Sequence, residues 1–234
     1  MKYLLFICII VSIILLSCDD EITNPIDKEL SQKIIGKWIT NQSETFFYAD
    51  GTTTSTTIDY YNTNNPQKDS MIITVTAKYK IQNKVLFITE RNIDITASSS
   101  TIEVAIAKLL PSAIEIIGDT LFITSVNVFD KLDGPNNELD GRWFTKYDCF
   151  ILKPNVTITL GTEELDYYFD TQSHYYSLSL KLYLDGVGYE TDSGNFQVEN
   201  GMLNMGGPNV YKMKIESNKL YLFNNHTSKI IRGN

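Results

Sequence analysis

Gly36-Lys37-Trp38-Ile39-Thr40 and Gly141-Arg142-Trp143-Phe144-Thr145 are two versions of one phrase, Gly-[Lys/Arg]-Trp-apolar-Thr. A phrase repeated at such a distance marks an internal duplication, and the chain downstream of each copy repeats as well. The first copy continues through Phe46-Phe47-Tyr48-Ala49 into Asp50-Gly51, and the second has Leu182-Tyr183-Leu184 running into Asp185-Gly186. Asp-Gly after an apolar run signals a hairpin, because Gly accepts a positive φ. Two further hairpins close each copy. In the first they span 79–88 and 114–123; in the second they span 196–203 and 211–222.

Period-two alternation supports strands with one buried face. Met71, Ile73, Val75, Ala77, Tyr79 and Ile81 alternate with mostly Thr and Lys, and Leu178, Leu180, Leu182 and Leu184 alternate with Ser177, Ser179, Lys181 and Tyr183. Such strands read as antiparallel. One helix is expected over Thr101–Leu110, where Ser100 and Glu103 have capping-box spacing and Pro111 stops the helix. A weaker helical segment covers Lys28–Ile34. Asp133-Gly134-Pro135-Asn136-Asn137 is turn chemistry and separates the copies. The reading is all-β: two small antiparallel barrels in tandem, over 31–132 and 138–234, with one short helix in the first.

A Gly-x-Trp on the first strand after a short helical lead-in, then an apolar-Asp-Gly hairpin and two closing hairpins, resembles the small bacterial lipocalin-like domains. The resemblance covers most of 31–132 and 138–234. It implies that Gly36, Trp38, Gly141 and Trp143 mark the fold, each Trp plugging one barrel end. It also implies that a late cation packs on each Trp, with Arg232 assigned to Trp143 and Lys131 to Trp38.

The N-terminus reads as an address. Lys2 is followed by an uncharged apolar run from Tyr3 to Leu16, ending Leu15-Leu16-Ser17-Cys18. That run has the length of a signal-peptide core and falls short of a membrane span of about 20 residues. Its ending resembles the bacterial lipobox, which implies removal of 1–17 and lipidation of Cys18. Residues 18–30 then read as lipidated Cys and polar tether. Several acyl chains on one Cys give stable anchoring, at about 0.8 kcal/mol per buried CH₂. The expected location is the bacterial cell envelope, lipid-anchored, with the outer membrane preferred: the acidic run Asp19-Asp20-Glu21 resembles the surface-export signal of some lipoproteins, while an Asp after the lipidated Cys also resembles an inner-membrane retention signal.

Of the 234 residues 43 % are hydrophobic and 21 % charged, the composition of a folded chain, and the formal net charge is −8. Lys and Arg are nowhere concentrated, so nucleic acid is not an expected partner. Three Cys and two His are too few and too scattered for a disulfide framework or a metal site, and no cofactor is expected. Cys149 shares strand parity with Trp143, Thr145 and Tyr147, which makes it a buried apolar residue. Asp170 and His174 stand four apart in strand or loop, and His226 is isolated. Glu163, Glu164 and Asp166 read as a solvated loop within a polar stretch, 161–173, that only the second copy carries. Each doubled tyrosine, Tyr60-Tyr61, Tyr167-Tyr168 and Tyr175-Tyr176, should place one ring outward.

No constellation for catalysis is visible, and a non-enzyme is expected. The first reading is a membrane-anchored protein that binds a small apolar ligand inside its barrels, with Ile73, Val75, Tyr79, Leu178, Leu180 and Leu182 facing it. The alternative is an envelope module with solid cores that contacts a protein or glycan through its exterior.

Overall fold

The period-two segments fold as strands, and several of the tight turns between them use left-handed residues. Asn83 and Lys84 have φ of 53° and 61°, Asn200 and Gly201 have 52° and 73°, and Ser217 and Asn218 have 51° and 57°. The structure, a computed structural model, describes residues 24–60, 70–97, 105–108, 110–153, 157–183 and 187–233. The first half comprises α1 (Pro25–Lys33), β1 (Gly36–Ile39), β2 (Ser43–Phe47), β3 (Thr52–Tyr60), β4 (Ser70–Gln82), β5 (Val85–Ala97), β6 (Ala105–Lys108), β7 (Ser112–Ile117) and β8 (Thr120–Lys131). The second comprises β9 (Gly141–Lys153), β10 (Thr157–Asp170), β11 (Tyr175–Tyr183), β12 (Val187–Asn195), β13 (Gln197–Glu199), β14 (Met202–Asn204), β15 (Val210–Glu216) and β16 (Lys219–Arg232).

β8-β7-β5-β4-β3-β2-β1-β16 pair in that order, and β16 returns to β8, which closes an eight-stranded antiparallel barrel. The strand that closes it comes from the other end of the chain. Thr227–Ile231 of β16 pair with Thr124–Thr120 of β8, and Arg232 lies opposite Trp38 of β1. The earlier part of β16, Lys219–Phe223, pairs with β15 on one side and with Asp130–Val126 of β8 on the other. The end of β8 in turn reaches β9, with Lys131 opposite Trp143. The coarse expectation, an all-β antiparallel barrel, therefore stands. Two self-contained barrels in tandem do not: β8 and β16 each run through both halves, and each half is completed by the last strand of the other. In the second half the path β8-β9-β10-β11-β12 ends at β12, and β13-β14-β15-β16 forms the other wall. Phe196, a single buried residue, joins β12 to β13.

Three sequence expectations change. Ala105–Lys108, inside the expected helix 101–110, is strand β6 and pairs with Leu152–Cys149 of β9; residues 101–104 and 109 lie outside the described residues. The weaker helical segment expected over Lys28–Ile34 is α1, but it starts earlier, at Pro25, inside the stretch read as tether: the Asn24 side chain accepts from Ile26 N–H at 3.1 Å and Pro25 opens the first turn. Counted from each Trp, Asp50-Gly51 is the connection β2–β3, whereas 184–186, outside the described residues, connects β11 to β12. The counterpart of Asp50-Gly51 is thus the β10–β11 turn at 171–174. The polar stretch 161–173 is accordingly β10 and its turn, and the extra length of the second copy lies in the β9–β10 hairpin, with 13 and 14 residues in β9 and β10 against 4 and 5 in β1 and β2.

Two main cores result. Ile34, Trp38, Phe47, Ile81, Leu86, Ile114 and Leu121 fill the first barrel. Trp143, Leu165, Tyr167, Phe169, Tyr176, Phe196, Leu203 and Leu222 belong to the second, joined by Phe129 of β8. Between them Val85, Val126, Val128 and Tyr221 pack where the shared strands cross. Burying each of these large side chains contributes about 1.5–3 kcal/mol.

Candidate functional site

The two tryptophans occupy equivalent seats, both fully buried. Trp38 Nε1 donates to the Ile34 carbonyl at 2.6 Å and Trp143 Nε1 to the Leu139 carbonyl at 2.7 Å. A cation covers each ring 4.5 Å from its centre, but the pairing is the reverse of the expected one: Arg232 lies over Trp38 and Lys131 over Trp143. The strand exchange is the reason, since each cation ends the strand that crosses into the other half. Arg232 Nη1 and Nη2 donate to the carbonyls of Ile35 and Lys33, at 3.1 and 2.6 Å. Lys131 Nζ donates to Asp140 and Glu138 carbonyls, the same two positions of the repeat, at 2.5 and 2.7 Å. Burial lowers the Lys131 ammonium against the opposing pull of Asp140, Glu138 and Asp133. These seats are structural.

The six residues expected to face a ligand divide between the halves. Tyr79 packs on the first core and edge-on to Phe47, and its hydroxyl donates to the Tyr48 carbonyl at 2.9 Å. Ile73 and Val75 lie farther along β4, half-buried, opposite Thr57 and Ser55. Leu178 and Leu180 pack on the second core, and Leu182 lies opposite Glu163.

Cys149 is fully buried, as strand parity requires. Asp170 and His174 sit at the exposed β10–β11 turn, where the Asp170 carboxylate accepts from Gln172 N–H, Ser173 N–H and Ser173 Oγ. Those hydrogen bonds hold its pKa below the usual value, led by the Ser173 hydroxyl. Phe169 pairs with Gly141 and Gly161 with Cys149, so Cys149 lies about 26 Å along the ladder from that turn. The structure does not bring them together. His226 is exposed on β16. Two of the doubled tyrosines behave as expected: Tyr167 and Tyr176 are buried while Tyr168 and Tyr175 are 46 % and 41 % exposed. Tyr60-Tyr61 lie outside the described side chains.

The solvated loop of carboxylates is instead strand, with three distinct environments. Glu164 binds Lys146 at 3.1 Å and accepts from Tyr183, and Asp166 takes Arg142 in a forked contact. Glu163 is 2 % exposed, opposite Tyr147. Burial pushes the Tyr147 hydroxyl up to about 12; that hydroxyl accepts from Val128 N–H at 2.9 Å.

A cleft of about 970 Å³ lies between the halves, with Leu30 and Ile114 of the first core and Met213, which packs on the second, among its lining. One wall is α1 with the β4–β5 turn and β7, the other is β14–β15, and β16 runs along it from Tyr221 to Thr227. Three devices shape it. Asp27, buried on α1, accepts from Asn83 and Lys84 N–H at 2.7 and 2.8 Å, which docks the helix on a turn that would otherwise leave two amides unpaired. The register of β16 slips against β8 between Phe223 and Thr227, where the strand passes from one half to the other. Asn83 Nδ2 donates to the Tyr221 hydroxyl at 3.2 Å, tying turn to crossing strand. Ile26, Phe122, Met202 and Phe223 contribute apolar surface. None of the six expected ligand-facing residues lines this cleft.

Sequence reasoning missed the cleft because its walls come from both halves. The local signals were the Asn24-Pro25 helix start and the weak helical segment over Lys28–Ile34, which together place α1. Among the described residues no group of three or more His, Cys, Asp or Glu is arranged to hold a metal. No protein-family model, curated protein or solved structure matches this chain.

Proposed function

We propose that the chain is a lipid-anchored, non-catalytic binding protein of the bacterial outer membrane, related to lipocalin-like domains, that binds at the exterior cleft between its halves. The observation that carries the binding reading is the 970 Å³ cleft, at the upper end of the size of small-molecule sites, beside two cores lined by mutually packed side chains. Support for the anchor is the Leu15-Leu16-Ser17-Cys18 ending, six residues ahead of the Asn24 helix cap. A ligand at the exterior cleft is therefore preferred to one held inside the barrels.

The anchor is tested by growing cells that express the full chain with an alkyne-bearing fatty acid and comparing wild type with Cys18→Ala. Incorporation of the label with outer-membrane fractionation, both lost in the variant, is expected. An unlabelled wild-type chain in the soluble fraction refutes the anchored reading. For the cleft, gentle-condition mass spectrometry of the detergent-released chain should show an added mass that Met202→Trp removes and Leu180→Phe leaves. The opposite pattern puts the ligand inside the second half.

A further inference from the structure

We infer that the α1-capped end of the first barrel rests on the bilayer through a belt of exposed apolar side chains, Ile117, Ile231, Ile39, Phe46 and Tyr48, that enters the headgroup layer of zwitterionic lipid. The inference rests on the lipid anchor proposed above and goes beyond it, to a surface of the folded chain that meets the membrane.

Strand register makes the belt continuous. Ile117 of β7 and Ile231 of β16 stand on the two sides of Thr120 of β8, and Ile39 of β1 stands opposite Ile231. On β2, Phe46 lies two positions along the same face from Glu44, the partner of Ile39, and the Tyr48 ring is 4.6 Å from that of Phe46. Along their strands these residues adjoin Ile116, Ile230, Trp38 and Phe47, which pack on the first core, so the belt points outward. Ile117 and Ile231 are 59 % and 63 % exposed, and the other three more than a third. Single exposed apolar residues are ordinary, whereas a connected run of them marks a contact surface. The run crosses β7-β8-β16-β1-β2, five strands of the eight-stranded barrel, and therefore curves around it. A curved belt suits a medium the barrel end sinks into; a flat protein partner would cover only part of it.

The belt also lies at the anchored end. Ile117, Ile231 and Phe46 are at or next to the ends of β7, β16 and β2, Tyr48 follows β2 directly, and Ile39 is on the four-residue β1. Three residues of strand cover about 10 Å, close to the depth of about 5–10 Å at which apolar surface enters the headgroup boundary. α1 lies across this end, since Arg232 donates to the Lys33 and Ile35 carbonyls and Asp27 accepts from Asn83 and Lys84 N–H. The chain leaves α1 at Asn24, six residues from Cys18, a span of at most about 20 Å. β4 and β5, with 13 residues each, carry the opposite end about 40 Å of strand away, beyond that reach. Charge does not drive the contact. Lys37, Lys229 and Arg232 stand around the belt with Glu44, Asp50, Glu115 and Asp119, and Lys37 pairs with Glu44 at 2.9 Å while Arg232 lies 3.8 Å from Asp119. With no cationic excess, apolar burial supplies the attraction and the Tyr48 hydroxyl and lysine tips stay on the water side.

The test uses the full lipidated chain in phosphatidylcholine vesicles with brominated acyl chains as quencher. Tryptophan reporters are Ile231→Trp, on the belt, and Leu160→Trp, at an exposed position of the second half; Trp38 and Trp143 are fully buried and give the background. Quenching and a blue shift are expected for Ile231→Trp and absent for Leu160→Trp, unchanged by molar salt or by added phosphatidylglycerol. Adding Phe46→Glu and Ile117→Glu should abolish the quenching while flotation with vesicles, which the anchor alone sustains, persists. Retention of the buried indole N–H resonances of Trp38 and Trp143 shows that each variant is folded. In a chain that floats, equal quenching of both reporters, or none of Ile231→Trp, overturns the belt inference and leaves the anchor standing. Quenching that needs phosphatidylglycerol and is lost in salt overturns it as well, as does Ile231→Trp emission that shifts with protein concentration and not with lipid, the mark of a second copy on the belt. A chain that does not float overturns both readings.

Discussion

Arg232→Ala separates the exchanged fold from two independent barrels. In the exchanged fold Arg232 covers Trp38 and donates to the Ile35 and Lys33 carbonyls, so the mutation strips a cation from the first half although the residue is near the end of the second. The guanidinium is about one-third exposed, so the ring contact is worth about 1 kcal/mol. The two carbonyl hydrogen bonds from a charged donor add about 1–2 kcal/mol after the same discount. A loss of about 2–3 kcal/mol lowers the melting temperature of a chain this size by roughly 4–12 °C. The assay that reads location is proton–nitrogen NMR of the indoles. There are two tryptophans, so two indole N–H resonances are expected, and Trp143→Phe assigns them. Arg232→Ala should shift the Trp38 resonance and speed its exchange while the Trp143 resonance stays in place; Lys131→Ala should do the reverse. If Arg232→Ala moves the Trp143 resonance and spares that of Trp38, the strand exchange is wrong.

Three further outcomes are expected from the geometry. Asp27→Ala leaves the Asn83 and Lys84 amides without their carboxylate, costing about 2–4 kcal/mol, and hydrogen exchange should rise over 25–34 before the strands respond. Gly141→Ala should prevent folding or cost about 3 kcal/mol or more, because φ is +106° and a Cβ would collide with the Asp133 carbonyl and Gly134 backbone. Gly36→Ala, at φ +119°, meets only the movable Arg232 Nη1 at 3.1 Å and should cost less in a thermal melt. Alkaline titration followed at 295 nm should show Tyr147 ionising near 12, since burial holds its hydroxyl protonated. Between the ordinary value of 10.0 and about 12 the native chain binds more protons than the unfolded one. The contribution of Tyr147 to stability is thus fully present below pH 10 and falls by up to about 1.4 kcal/mol per pH unit above it. Tyr147→Phe should remove its share of that fall and leave those of Tyr167 and Tyr176, whose hydroxyl pKa values burial also raises, and an unchanged slope would refute the assignment.

What could be read from the sequence was local. The Trp seats, the hairpins at Asn83, Gly118, Asn200 and Asn218, and the burial of Cys149 depend on residues adjacent in chain or on strand parity, and all appear in the structure. The errors lie where tertiary pairing or polarity outweighed pattern. Residues 105–108 carry good helix formers, yet pairing with Leu152–Cys149 satisfies their backbone as strand. α1 buries only Asp27 and Leu30, an apolar face so narrow that only 28–34 read as a weak helix while its Asn-Pro start looked like a linker. In β10 the inward position Glu163 interrupts the run completed by Leu165, Tyr167 and Phe169, which made a buried strand look like solvated loop.

The exchange of β8 and β16 has no sequence signature of its own, because each strand alternates identically whether it returns to its own first strand or crosses to the other. Its consequence is nonetheless specific. Asp133–Asn137 would be a hinge between independent barrels, but here Asn137 and Asn218 each donate a backbone N–H to the other's side-chain oxygen at 3.1 Å, and Arg142 N–H binds the Asp133 carboxylate at 2.8 Å. The turn is pinned to the β15–β16 hairpin. The halves cannot swing without unpairing β16 from β1 or β8, and the slip at Phe223–Thr227 that lets β16 cross is the segment that lines the cleft. Cleft and exchange are one construction, because the shared strands set the separation of the cleft's two walls before anything binds there.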